Sequence, residues 1–417
     1  VNSTGKQLLR SLNLKDAVGI GLGAIIGAGI FVVTGVAAGV AGPAFIIGLI
    51  VAGIIATCNA LSSAQLAAVY PQSGGTYEYG YRLINPSFGF SAGWMFLISK
   101  LAAAGVVAIG FGSYFYQLFP VTSPMTFSVA AVVLLTAANY FGIKKAGLLN
   151  LAIVTITMLS LLYLIFSGAP AIKTENFKPF APFGLTGIAE AAALLFFAFT
   201  GYGRIATLAE EVANPMKTIP KAIIITIVTA ILLYVAIAIV AIGVIGANAM
   251  ASSTAPLQVV ADALATPGIN TVITIGASTA MLGVLLSQIL GISRMMLAMG
   301  RRRDLPPIFQ QVHTRYHVPH LGILFTGFII LLLTWLGSFE FVVRSATFTI
   351  LLYYSITNIS AIRQPQSDRL YGKVIPVFGL IGCLAMSVSL PLYVIVSGVG
   401  LLVIGFVIRF VFHKIWM

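Results

Sequence analysis

Gly23-Ala24-Ile25-Ile26-Gly27-Ala28-Gly29-Ile30-Phe31 lies in the middle of an apolar run from Ala17 to Val40, long enough to cross a bilayer as a helix. A helix in lipid satisfies its backbone groups internally, and glycines at 27 and 29 weaken it where it should be strongest. Such a defect is tolerated at membrane depth only where it is buried in protein or lines a cavity. If the helix unwinds here, its outer half begins near Ala28 and Gly29 with unpaired N–H groups and the positive end of a dipole. Its inner half ends near Ile25 and Ile26 with free carbonyls and the negative end. One small region then holds a carboxylate and an ammonium together, which is a receptor for a zwitterion. The competing reading is a glycine-rich face on which two helices touch closely.

Composition narrows the class. Of 417 residues 59% are hydrophobic and only 8% charged, whereas a soluble fold carries roughly a quarter charged residues. The chain is therefore expected to be a polytopic, all-α membrane protein. Residues 1–15 are polar and basic with no apolar core before them, so no signal peptide is expected. Cys58 and Cys383 fall in apolar runs, without metal or disulfide spacing, and read as small core residues.

Apolar runs of about 20 residues place twelve spans, at 16–40, 44–69, 88–118, 124–142, 146–168, 184–212, 220–247, 269–300, 321–337, 340–361, 374–390 and 392–412. Both termini then lie on one side. The segments on that side hold seventeen of the 23 Lys and Arg, the other side holds Lys173 and Lys178, and four lie within spans. The positive-inside rule puts both termini in the cytoplasm, with the plasma membrane as the expected location. The net charge of +13 is spread over these loops without forming one patch, which argues against nucleic acid.

The sixth span repeats the logic of the first. It reads Phe196-Phe197-Ala198-Phe199-Thr200-Gly201-Tyr202-Gly203-Arg204, with Gly201 and Gly203 breaking a long run near its middle and free carbonyls expected from Phe197 to Thr200. Two discontinuous segments five spans apart point to inverted repeats with a midplane site between them. The expected units are a tail (1–15), two five-helix repeats (16–168 and 184–361) and two further helices (374–412).

These residues resemble a family. The stretch 23–31 is similar to the helix-1 signature of the amino acid–polyamine–organocation (APC) transporters. Phe196 to Tyr202, followed by Glu210-Glu211-Val-Ala-Asn214-Pro215, is similar to their helix-6 signature, and Pro71 to Tyr77 and Leu305-Pro306 to two of their loops. The resemblance implies the inverted-repeat fold of the leucine transporter and an amino acid substrate. It implies that the α-carboxylate meets N–H groups of Ala28 and Gly29, next to Ile26 and Gly27, and that the ammonium meets carbonyls of Ile25, Phe197 and Thr200. Phe197 matches an aromatic lid, with Ala198 and Tyr202 on the same segment.

Ionisable groups within spans are functional candidates. Lys100 lies near the midplane of the third span, and reads either as a paired packing residue or as a titrating group that couples protons to transport. Some APC relatives carry such a lysine on the fifth span, where this chain has Thr157. Arg204 is expected to sense substrate or, the favoured reading, to pair with Glu210 or Glu211 in a cytoplasmic gate. Arg344 is expected to pair with Glu340 four residues before it, and Glu190 to pair with Lys173 or Lys178 or to face the path by which substrate arrives. The eighth span offers Ser278, Thr279 and Ser287, while Leu282 and Gly283 stand in the stretch where sodium-using relatives place hydroxyls; proton coupling, sodium coupling and exchange all stay open.

No nucleophile, acid–base pair, metal set or cofactor motif marks an enzyme. The chain reads as a permease, whether symporter or exchanger, with a non-transporting amino acid sensor as the weaker alternative. None of the ten acidic residues falls within a turn of either break. An unpaired buried cation is costly, so a neutral amino acid is expected first, an acidic one next because of Lys100 and Arg204, and cationic ones last.

Overall fold

The first helix begins where the polar tail meets the first apolar run. Asn13 Oδ1 accepts from the N–H groups of Lys15 (2.8 Å) and Asp16 (3.2 Å), and the Asp16 carboxylate accepts from the Asn13 N–H at 3.0 Å. This reciprocal cap satisfies donors that the first turn leaves orphaned. The computed structural model describes residues 13–27, 29–70, 74–141, 146–203, 212, 214–336 and 339–416, and its regular elements are all helical.

The first half of the chain contains α1 (Leu14–Ile25), α2 (Thr34–Ala41), α3 (Phe45–Val69), α4 (Thr76–Leu83), α5 (Pro86–Leu118), α6 (Pro124–Phe141) and α7 (Ala146–Gly168). The second contains α8 (Gly184–Phe196), α9 (Pro215–Ala251), α10 (Pro256–Ala263), α11 (Ile269–Arg301), α12 (His320–Leu336), α13 (Phe339–Arg363), α14 (Val374–Val388) and α15 (Leu392–Trp416). Eight helical stretches among the described residues are long and apolar enough to cross a membrane, and α12 and α14 are shorter apolar helices. The chain is a multi-pass membrane protein.

Helices coincide with the apolar runs because backbone in lipid has no other way to pair. α9 outruns its run at both ends: Pro215 occupies the first turn, where a missing N–H costs nothing, and Gly246 at φ +76° kinks the far end. The eight-residue helices α4 and α10 fall in segments that read as connections.

α5 sits at the centre, packed against α4, α6, α11, α12 and α13, and 72% of its most apolar stretch is buried. α6 and α15 bury only 22% and 17% of theirs, which makes them outer, lipid-facing helices. α3 packs on α8 and α9, and α11 on α7. α1 packs on α7, α9 and the turn over Phe197–Tyr202, and α2 on α8 and α9.

Candidate binding site at the two helix breaks

α1 stops at Ile25. Ile26 is extended (φ −78°, ψ 104°), although its N–H still reaches Leu22 O at 2.8 Å. The helix resumes when the N–H groups of Ile30 and Phe31 bond Gly27 O at 3.2 and 3.3 Å, in a wide π-type turn over Gly29–Val33. Ala28 lies outside the described residues. Two tyrosines satisfy carbonyls near this break: Tyr234 OH on α9 donates to Ile25 O at 2.9 Å, and Tyr114 OH on α5 donates to Phe31 O at 2.7 Å. Neighbouring helices thus make a break tolerable at membrane depth. The Ile25 carbonyl keeps one further lone pair.

The second break begins earlier than Gly201 and Gly203 suggest. α8 ends at Phe196, and Phe197–Tyr202 forms a tight 3₁₀ turn. Its carbonyls are partly engaged: Phe197 O accepts from Thr200 Oγ1 at 3.0 Å, and Thr200 O accepts from Tyr354 OH on α13 at 3.3 Å. Gly201 serves close approach more than unwinding. A Cβ there would lie 2.1 Å from Ala24 O, and one at Gly29 would lie 2.4 Å from Ala198 Cα. These two glycines let the two breaks touch, so the packing-face reading and the break reading describe the same residues.

Where the breaks touch there is a cavity of about 30 Å³. Ala24, Ile25, Gly27 and Gly29 from the first break line it, with Phe197, Ala198, Thr200 and Gly201 from the second. Lys100 and Val107 close it from α5, and Val284 and Gln288 from α11. At roughly 10–15 Å³ per water, such a volume admits two or three waters at most, so an amino acid enters only if the walls part. Val107, Val284 and Gln288 were not anticipated; the only local hint was Gln288, a lone amide within an apolar run. Ile26 and Tyr202 were anticipated but do not line the cavity. Tyr202 is fully buried with its ring 5.3 Å from that of Tyr354.

Lys100 does reach the breaks. Its Nζ lies 3.4 Å from Thr200 Oγ1 and 5.9 Å from the centre of the Phe96 ring. The neighbouring Ser99 hydroxyl donates to Ala346 O at 3.0 Å, which pins this part of α5 to α13. Thr157 is elsewhere: its hydroxyl donates to Ile153 O at 2.8 Å and Gly276 O at 3.3 Å, between α7 and α11. Arg204, Glu210 and Glu211 lie outside the described residues.

Glu190 takes a partner that the sequence did not offer it. Glu190 on α8 forms a salt bridge with Arg344 on α13, in place of Lys173 or Lys178; the side chain of Glu340, the partner expected for Arg344, lies outside the described residues. Arg344 is only 5% exposed, and a buried guanidinium takes the carboxylate that packing brings to it. Glu190 precedes Phe197 by about two helical turns, so the bridge stands between the breaks and one face of the molecule.

A second polar cluster joins α4, α15 and the loop after α11. Asp304 accepts from the hydroxyls of Tyr77 (2.7 Å) and Tyr81 and pairs with Arg409 at 2.8 Å, while Arg302 grips Glu78 with a contact of 2.6 Å. Burial, and then the Asp304 carboxylate, raise both phenols well above the usual tyrosine value, so both remain neutral donors.

Comparison with known proteins identifies the family. The family profile described as amino acid permease matches residues 16–415. An uncharacterised transporter of Mycobacterium tuberculosis is 39% identical over 404 residues, covering 96% of this chain and 90% of the relative. The branched-chain amino acid permease BcaP of Bacillus subtilis is 31% identical, covering 98% and 94% of the two chains. A methylthioribose transporter of the same organism is 30% identical, covering 99% and 95%. With two helix breaks meeting at a buried cavity and a family match along nearly its whole length, this chain belongs to the amino acid permease family.

Proposed function

We propose that the protein is a secondary active transporter that moves a neutral amino acid across the plasma membrane by alternating access. The observation that carries this reading is the cavity where the two breaks touch. Its walls combine backbone groups of 24–29 and 197–201 with the side chains of Val107, Phe197 and Val284, and among the described residues no carboxylate lines it. Backbone dipoles suit the zwitterionic end of any amino acid. The apolar walls suit an uncharged side chain, and the missing carboxylate disfavours a cationic one. The Bacillus permease named for branched-chain amino acids supports the same side-chain class.

In this reading twelve spans form two inverted five-helix repeats, 16–168 and 184–361, followed by α14 and α15, with both termini in the cytoplasm. The stretch Leu14–Val69, at 56 residues, is long enough for two crossings. α12, α13 and α14 complete the twelve. The carboxylate of the substrate binds at the head of the outer half-helix near Ala28 and Gly29, and its ammonium at the remaining lone pairs of the Ile25, Phe197 and Thr200 carbonyls. Lys100, against Thr200, is the group placed to exchange a proton with the site, which makes proton symport the coupling mode and exchange its alternative. The same ammonium favours an acidic amino acid as the second reading.

Uptake in proteoliposomes, with competition at fixed pH, tests the assignment. Leucine, valine, isoleucine or alanine should inhibit strongly and arginine and lysine weakly. Strong inhibition by arginine without any by the neutral set would sink it, and inhibition by glutamate alone would favour the second reading.

A further inference from the structure

α6 and α12 pack side by side and leave between them an apolar groove of about 480 Å³, remote from the breaks. Its floor is made of small residues. Ala137 contributes one methyl group, and Gly327 lies so close to α6 that a Cβ would come within 2.5 Å of Thr136 Oγ1. Val133 and Leu331 bound one end, Phe328 a side and Tyr140 the other end. From Val133 to Tyr140 the groove runs about 11 Å along α6, comparable with the roughly 15 Å of hydrocarbon in one leaflet. A volume of about 480 Å³ over this length leaves a cross-section too narrow for a transmembrane helix, which is about 10–12 Å across with its side chains. An extended hydrocarbon chain fits these proportions.

The Tyr140 end meets the loop between α11 and α12. The Tyr140 ring lies 5.6 Å from the His313 ring and 5.9 Å from that of Tyr316, and the Arg315 guanidinium sits 5.5 Å over the Tyr316 ring. His313 Nδ1 accepts from the N–H groups of Arg315 (3.1 Å) and Tyr316 (3.3 Å), so Nε2 carries the ring proton and is a donor. No Asp or Glu occurs in 79–174 or 305–339, the segments that supply both walls and this loop. Rings of this kind gather at the membrane–water boundary, and the charge beside them is cationic without an acidic neighbour in the sequence.

We propose that the groove holds one acyl chain of an anionic phospholipid, whose phosphate is received by Arg315 and His313 Nε2. The site is separate from the breaks and does not depend on which amino acid is carried.

Native mass spectrometry of the purified full chain, in detergent with equal amounts of phosphatidylglycerol and phosphatidylcholine, tests this. The wild-type protein should retain one phosphatidylglycerol in preference to phosphatidylcholine by roughly fivefold, the effect of one basic side chain on a lipid of net negative charge, since the choline of phosphatidylcholine offsets its own phosphate. Ala137→Trp fills the groove from an exposed position and should cut the adduct about tenfold or more. Arg315→Gln, also on the surface, should keep an adduct while equalising the two lipids. Equal retention of both lipids by the wild type overturns the proposal. So does an adduct unchanged in Ala137→Trp, or a second copy of the chain retained in place of lipid.

Discussion

Lys100 brings an ammonium to a place where backbone carbonyls are already gathered. It approaches Thr200 Oγ1, whose own carbonyl is shared with Tyr354, and it lines the cavity with Gln288 facing from another helix. If this lysine passes the driving proton, Lys100→Met should lower pH-gradient-driven accumulation about tenfold or more while leaving counterflow at equal pH within about twofold. Proteoliposome flux with and without an imposed pH gradient measures both. Accumulation that survives intact in Lys100→Met would remove the lysine from coupling. Gly27 and Gly29 act differently. At Gly27 a Cβ would lie 2.8 Å from Val284 Cγ2, and at Gly29 it would strike the backbone of Ala198. Substitutions at Gly29 therefore test how the breaks pack rather than how substrate binds, whereas Gly27 faces a side chain of the cavity wall.

Between elements, the Glu190–Arg344 bridge ties α8 to α13 outside the cavity. Breaking a buried pair by removing one partner leaves an uncompensated charge, at a cost of about 3–5 kcal/mol. Arg344→Ala, which takes the guanidinium away from Glu190, should destabilise the protein by this order, and the double variant with Glu190→Ala should cost clearly less than the sum of the two single variants. Unfolding in detergent, arranged as a double-mutant cycle, gives the coupling directly. Additive costs would mean that the two residues act independently. The Asp304 cluster fastens α15 to α4 and to the loop after α11 by charge-assisted bonds of the same kind.

At the scale of the molecule, the arrangement of charge along the chain predicts orientation. Lys173, in the loop after α7, and Lys217, at the start of α9, are both exposed and should face opposite sides of the membrane. In a background with Cys58 and Cys383 replaced, Lys173→Cys should react with an impermeant maleimide on intact cells. Lys217→Cys should react only after the membrane is opened. The reverse pattern would invert the topology and place both termini outside. The small cavity bears on the same scale. At about 30 Å³ the described structure has its breaks closed on each other, so substrate binding requires the halves of the protein to move apart.

The sequence by itself determined what depends on local chemistry. Long apolar runs must be helical in lipid, so the helices α3, α5, α6, α7, α11 and α12 begin and end within a few residues of the runs read from the chain. The break at Gly27 and Gly29 was legible because glycine pairs weaken a helix wherever it lies. The second break was legible as an event but misplaced by several residues, since its 3₁₀ turn starts at Phe197 on residues with no local helix-breaking signal. Only the tertiary structure decided which distant side chains answer the freed backbone. Tyr234 and Tyr354 lie 209 and 154 residues from the carbonyls they bond, and Glu190 meets Arg344 across 154 residues. Such partners carry no mark in their own stretches of chain. A buried polar group takes the partner that packing delivers, and packing is a property of all the helices together.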